Sequence, residues 1–84
     1  MTYGIEYERR AFKYLQGIPQ PDQRRVTDRI AELGMDPRGP NVEKLRGVPG
    51  FRVRQGNYWI IFTIDDGASV VTITKIGQRG DVYR

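Results

Sequence analysis

Tyr3, Ile5 and Tyr7 alternate with polar residues, and beyond them the apolar period lengthens, with Ala11, Tyr14, Leu15 and Ile18 falling at helical spacing. The pattern predicts a short first strand and then a helix that Gly17 and Pro19 end. Pro21 and Asp22 suit the first turn of a second helix. Proline loses nothing there, because its missing N–H has no partner at that position, and the carboxylate meets the positive end of the helix dipole. Val26, Ile30 and Leu33, at i, i+4 and i+7, give this helix one apolar stripe, and Arg24, Arg25, Asp28 and Glu32 give it a charged outer face. Gly34 and Pro37 are expected to stop it. Residues 36–50, rich in Gly and Pro, read as loop with a turn of helix around Val42 to Leu45.

From Phe51 the apolar period falls to two. Phe51 to Gln55, Tyr58 to Asp65 and Ser69 to Ile76 are rich in aromatic and β-branched residues, and Gln55-Gly56-Asn57 and Asp66-Gly67-Ala68 separate them as turns, so they read as an antiparallel meander. The predicted order is β-α-α-β-β-β. Two amphipathic helices must bury their stripes on one face of this sheet, which gives a two-layer α+β fold over residues 1–84 with the other sheet face open. Phe51 and Val53 are expected beneath the helices. Arg52 and Arg54 then share the open face with Cα atoms ~6.6–6.8 Å apart, a span comparable to neighbouring phosphates on an RNA strand. On the next strand Tyr58, Ile60, Phe62 and Ile64 form one set and Trp59, Ile61 and Thr63 the other; which set faces the helices depends on hairpin register.

Composition narrows the chemistry. The chain has 84 residues, enough for one modest core, and neither cysteine nor histidine. The usual zinc ligands, the thiol nucleophile and the imidazole general base are therefore absent, and no metal or small-molecule cofactor is expected. No apolar stretch approaches the ~20 residues needed to cross a bilayer, so a cytoplasmic protein with no membrane partner is expected. The net charge of +4 is unevenly spread. Up to Glu43 seven basic residues balance seven acidic ones; from Lys44 onward seven basic residues face three acidic ones, an excess that attracts a polyanion as well as serving solubility. Eleven of the fourteen cations are arginine, which suits bidentate phosphate contacts. Asp65 and Asp66, followed by Gly67, read as a hairpin turn before a pair of catalytic carboxylates. Arg79-Gly80-Asp81 spells an adhesion tripeptide by chance.

"DPRGPNVEKLRGVPGFRVRQGNYWIIFTIDD" and the ending "IGQRGDVYR" together resemble the RelE side of the RelE/ParE superfamily of bacterial and archaeal type II toxins, and the resemblance covers nearly the whole chain. The resemblance implies a RelE-like fold and a ribosome-dependent mRNA endoribonuclease held inactive by a cognate antitoxin, its partners being that antitoxin and the ribosome with mRNA. In that family cations on the second strand bind the RNA backbone, arginines on the third strand and after the last strand stabilise the transition state, and a C-terminal tyrosine orients the substrate. By position, Arg52 and Arg54 match the second-strand cations, Arg79 the post-strand arginine and Tyr83 the tyrosine. These four are the expected catalytic residues. Lys44, Arg46, Trp59 and Arg84, with Arg52 and Arg54, are the expected RNA-binding set. The chain departs from the family at two places: Trp59 stands where the third-strand arginine is usual, and Gln78 where many members have His or Lys.

Cleavage of this kind has the ribose 2′-hydroxyl attack its own phosphate, leaving a 2′,3′-cyclic phosphate and a 5′-hydroxyl. Guanidinium, with a pKa above ~12, is a poor general base, and the Tyr83 phenol near ~10 is only somewhat better placed as an acid. Electrostatic stabilisation and positioning are therefore the expected means of catalysis. Two alternatives share the fold: a ParE-type inhibitor of DNA gyrase, and a non-catalytic or weakened member that only binds an antitoxin, for which Trp59 and Gln78 speak.

Overall fold

The computed structural model describes residues 2–78. The two apolar stripes bury as their spacing dictates: Ala11 and Leu15 from α1 (Arg9–Gln16), Ile18 from the connection, and Val26, Ile30 and Leu33 from α2 (Asp22–Met35). Gly34 does not end α2, which runs on to Met35. Its carbonyl instead accepts the Tyr3 N–H at 2.7 Å and so ties the start of the chain to the end of the helix.

Beneath the helices lie β1 (Gly4–Tyr7), β2 (Glu43–Lys44), β3 (Phe51–Gln55), β4 (Tyr58–Asp65) and β5 (Val70–Gln78), in the order β1-β5-β4-β3-β2. The two-layer α+β architecture is the one the patterning predicts. The sheet itself is mixed. β2 to β5 pair antiparallel, but β1 runs parallel to β5 from Gly4 opposite Val70 to Tyr7 opposite Ile73. After β1 the two helices carry the chain across the sheet to its far edge, where β2 begins. The helical turn expected around Val42 to Leu45 is replaced by β2. One helical turn fixes several residues for a single hydrogen bond, whereas here Glu43 and Lys44 pair with Arg52 and Phe51, and the Leu45 N–H donates to the Gly50 carbonyl at 3.0 Å.

A two-residue turn settles the register that the alternation leaves open. Gly56, at φ +60, takes the first loop position that a type II′ hairpin requires, and Gln55 then pairs with Tyr58. Val53 meets Ile60 across the strands, and Val53, Tyr58, Ile60 and Phe62 are buried under the helices. Arg54 lies opposite Trp59 and Arg52 opposite Ile61, on the open face. In β5 a bulge interrupts the alternation: Ile61 pairs with Lys75 and Phe62 with Ile73, so Thr74 is the extra residue. Val71 and Ile73 are buried before the bulge and Ile76 after it. The one-residue slip reverses the parity and turns Lys75 to the open face.

Asp65 and Asp66 both serve the turn, in different ways. Asp65 accepts the Ala68 N–H at 3.0 Å. Asp66 receives both terminal nitrogens of Arg38, at 3.0 and 2.9 Å, and the Tyr3 hydroxyl at 2.7 Å. Chain start, post-helix loop and β4–β5 turn are thereby joined at one carboxylate. The hydrogen bonds from Arg38, then from Tyr3, lower the Asp66 carboxyl to about 2. A carboxyl depressed in the folded state contributes stability that is fully present above its unfolded value near ~3.9 and is lost as pH falls toward about 2. Between these limits the melting temperature should fall more steeply in the wild type than in Asp66→Asn, and parallel melting curves for the two would show the network to be inert. Among the described residues no helix is long and apolar enough to cross a membrane.

Candidate nucleic-acid interface

The open sheet face and the β2–β3 hairpin enclose a cleft of ≈ 580 Å³. Arg10, Lys44, Arg46, Arg52 and Lys75 line it, and Glu43 is the single carboxylate among the lining residues. Ile61, Leu45 and the exposed Val48 supply an apolar floor and rim. The five cations arrive from four pieces of chain. Arg52 is aimed outward by the β3 alternation, Lys75 by the β5 bulge, Lys44 and Arg46 by the β2–β3 hairpin, and Arg10 from the first turn of α1. The Arg10 Nε donates to the Thr74 carbonyl at 2.8 Å, at the bulge. Thr74 in turn donates its hydroxyl to the Ile61 carbonyl at 3.2 Å, so the irregular residue is held from both sides. Five cations around one carboxylate make the cleft a strongly electropositive concavity that favours phosphate.

Arg52 and Arg54 share a face but not an environment. The Arg52 side chain is only 33% exposed, its Nε lies 3.5 Å from a Glu43 carboxylate oxygen, and its guanidinium carbon stands 5.1 Å from the centre of the Trp59 ring. Arg54 is exposed and turns back on its own hairpin, its Nε donating to the Gly56 carbonyl at 2.9 Å. It lies outside the cationic cleft and lines a second depression with Asn41, Glu43, Gly56 and Trp59. The open face thus carries two hollows that meet at Glu43. Lys44, Arg46 and Arg52 are brought together in one, and Arg54 and Trp59 in the other. Arg79, Tyr83 and Arg84 lie outside the described residues.

Arg10, Glu43 and Lys75 join the site without having been anticipated from the sequence. For Lys75 a signal existed: in the run from Val71 to Ile76 a lysine occupies the parity of the buried Val71 and Ile73, a conflict that a bulge resolves. No local pattern marks Arg10. Glu43 was overshadowed by the cations that follow it, although a lone carboxylate among them is the one described cleft side chain able to take up a proton.

Fold and cleft together define a small basic α+β domain of the RelE/ParE type, with two helices over one sheet face and a cationic hollow on the other. Residues 5–83 match the sequence model of the ParE toxin of type II toxin–antitoxin systems, parDE, and the chain belongs to this family. It is a toxin of a type II toxin–antitoxin system within the RelE/ParE superfamily. Similar solved structures include a chain of the archaeal RelE–RelB complex from Pyrococcus horikoshii OT3 (TM-score 0.82, 30% identity, 95% of this chain and 98% of that one covered). The toxin–antitoxin complex RelBE2 from Mycobacterium tuberculosis contains a chain with TM-score 0.82 and 24% identity, with 94% of this chain and 100% of that one covered. The isolated E. coli RelE toxin superposes with TM-score 0.80 at 23% identity, with 96% and 90% covered. No curated protein matches the chain at a significant level.

Proposed function

We propose that this toxin is an mRNA endoribonuclease that acts on the ribosome in the cytoplasm and is silenced by a cognate antitoxin. The observation that carries the reading is the cleft itself, a concave site with five cations and one carboxylate beside an aromatic hollow on the same sheet face. A polyanion with flat bases fits that combination. In this reading Arg52, Lys75, Arg46 and Arg10 hold the backbone and offset the charge that builds on the phosphorane as the 2′-hydroxyl attacks. In the same reading Arg79, which follows β5 by sequence, adds charge at the scissile phosphate, Tyr83 orients the substrate and Arg84 binds RNA. The chemistry is electrostatic and positional, since the described cleft supplies cations in number and no histidine. No metal is called for.

The antitoxin partner is supported by relatives: similar chains were crystallised as RelE–RelB or RelBE complexes from P. horikoshii, M. tuberculosis and E. coli. An acidic segment of such a partner would find its counter-charge in the same cleft, and its binding should weaken with salt. One observation favours a second reading, inhibition of DNA gyrase, because the matching family model is that of ParE.

Induction of the chain without its antitoxin tests the proposal. The expected result is growth arrest with transcripts cut inside translated codons. Arrest with intact transcripts and blocked DNA supercoiling would transfer the protein to the gyrase inhibitors. Unimpaired growth with intact transcripts would make it a binding module for its antitoxin.

A further inference from the structure

β5 bulges at the edge of the cationic cleft, and the segment that follows β1 is fastened to it there. β1 ends at Tyr7, opposite Ile73, and the next N–H, that of Glu8, donates to the Ile73 carbonyl at 2.9 Å. The chain then turns into α1, so β1 does not reach the following residue of β5. That residue is Thr74, which has no counterpart in the β4 register either, because Ile61 pairs with Lys75 and Phe62 with Ile73. The carbonyl of a residue outside both registers needs a donor from elsewhere. The Arg10 Nε supplies it at 2.8 Å. We infer, resting on the reading of the cleft as the seat of an RNA phosphate, that Arg10 is a positioning residue, which by holding the Thr74 carbonyl fixes the bulge and so the direction in which Lys75 enters the cleft.

Core and arginine act on different features of the bulge. Val71, Ile73 and Ile76 are buried, and their spacing obliges β5 to carry one extra residue. Burial leaves the tilt of the Thr74–Lys75 peptide open, since neither side chain belongs to the core. For a lysine that tilt matters. The ammonium is a point charge at the end of a flexible four-carbon stem, so its reach depends on where the stem begins. The same Arg10 Nε lies 3.7 Å from Glu8, but both side chains are at least half exposed and such a pair contributes little, which leaves the carbonyl as the anchor. The Thr74 hydroxyl, donating to the Ile61 carbonyl at 3.2 Å, restrains the residue from its other side. Thr74 thereby links α1 to β4, and Lys75 is the next residue along.

Two substitutions of Arg10 separate its bond from its charge. Glutamine carries an amide N–H donor at the chain position of the arginine Nε and has no charge, whereas lysine keeps the charge and places a methylene there. Amide hydrogen exchange over residues 73–76, read by NMR on the full chain, should stay at the wild-type rate in Arg10→Gln and rise about tenfold in Arg10→Lys. Binding of a uridine tetranucleotide, followed by calorimetry, should weaken about tenfold in Arg10→Lys. The same substitution in a Lys75→Met background should cost less than about twofold, because no ammonium remains to be placed. Arg10→Gln should weaken binding by one factor in both backgrounds, since only charge is lost. An Arg10→Lys variant that binds and exchanges like the wild type would overturn the inference, because charge alone would then suffice. So would an equal loss for Arg10→Lys in both backgrounds, which would make Arg10 a direct ligand of the phosphate. A wild-type chain that does not bind the tetranucleotide would sink the RNA reading, and the exchange rates would then decide by themselves whether Arg10 holds the bulge.

Discussion

Arg79→Ala should slow mRNA cleavage by about 10²–10³-fold, the loss seen when one preorganised donor to a developing negative charge is removed. The proposal places a full positive charge at the scissile phosphate through this residue, and no other cation in the sequence between Lys75 and Arg84 is available to replace it. Arg79→Lys should recover part of the rate, because a point charge restores the field but not the two parallel hydrogen bonds of a guanidinium. Cleavage of ribosome-bound message is the measurement, with melting curves taken alongside so that loss of charge is told from loss of fold. Full activity in Arg79→Ala would remove this residue from the chemistry and leave the cleft cations to act alone.

Phe62→Ala should cost about 3–5 kcal/mol, a large part of the ~5–15 kcal/mol that holds a small domain folded. Phe62 is fully buried, its ring stacks on that of Phe51 at a centroid distance of 5.8 Å, and it pairs with Ile73 beside the bulge. Truncation opens a cavity where strands β3, β4 and β5 are joined, and the neighbouring β-branched and aromatic side chains have little freedom to collapse into it. Urea denaturation of the purified variant measures the loss. A change below 1 kcal/mol would show that the core rests elsewhere, under α1 and α2.

The helices and the strands of the meander are legible in the sequence because each depends on near neighbours. Val26, Ile30 and Leu33 state their shared face by spacing alone. So do Phe51 and Val53 against Arg52 and Arg54. Trp59 does not, since its side of the sheet follows from a two-residue turn whose pairing becomes definite only in three dimensions. β2 escaped notice because two residues cannot show a period, and it exists through pairing with Arg52 and Phe51. The parallel partnership of β1 with β5 joins residues at opposite ends of the chain, beyond the reach of any local signal. The site divides in the same way. Arg52, Arg54, Lys44, Arg46 and Trp59 were visible as types in a suggestive order, whereas Arg10, Glu43 and Lys75 enter through a helix crossing, a short strand and a bulge.

That partnership of the first strand with the last bears on how the protein is made. β5, the last strand among the described residues, is an inner strand of the sheet, and β1, the first, has no other neighbour in the strand order. While the chain is still growing, β1 has no seat and the helices have only half a surface to cover. Contacts between residues this far apart in sequence form late and carry the entropy of closing nearly the whole chain. A product terminated before Val70 therefore has neither the strand that presents Lys75 nor a closed core. Synthesis must pass β5 before β1 has a neighbour and the two helices have a whole sheet face to cover.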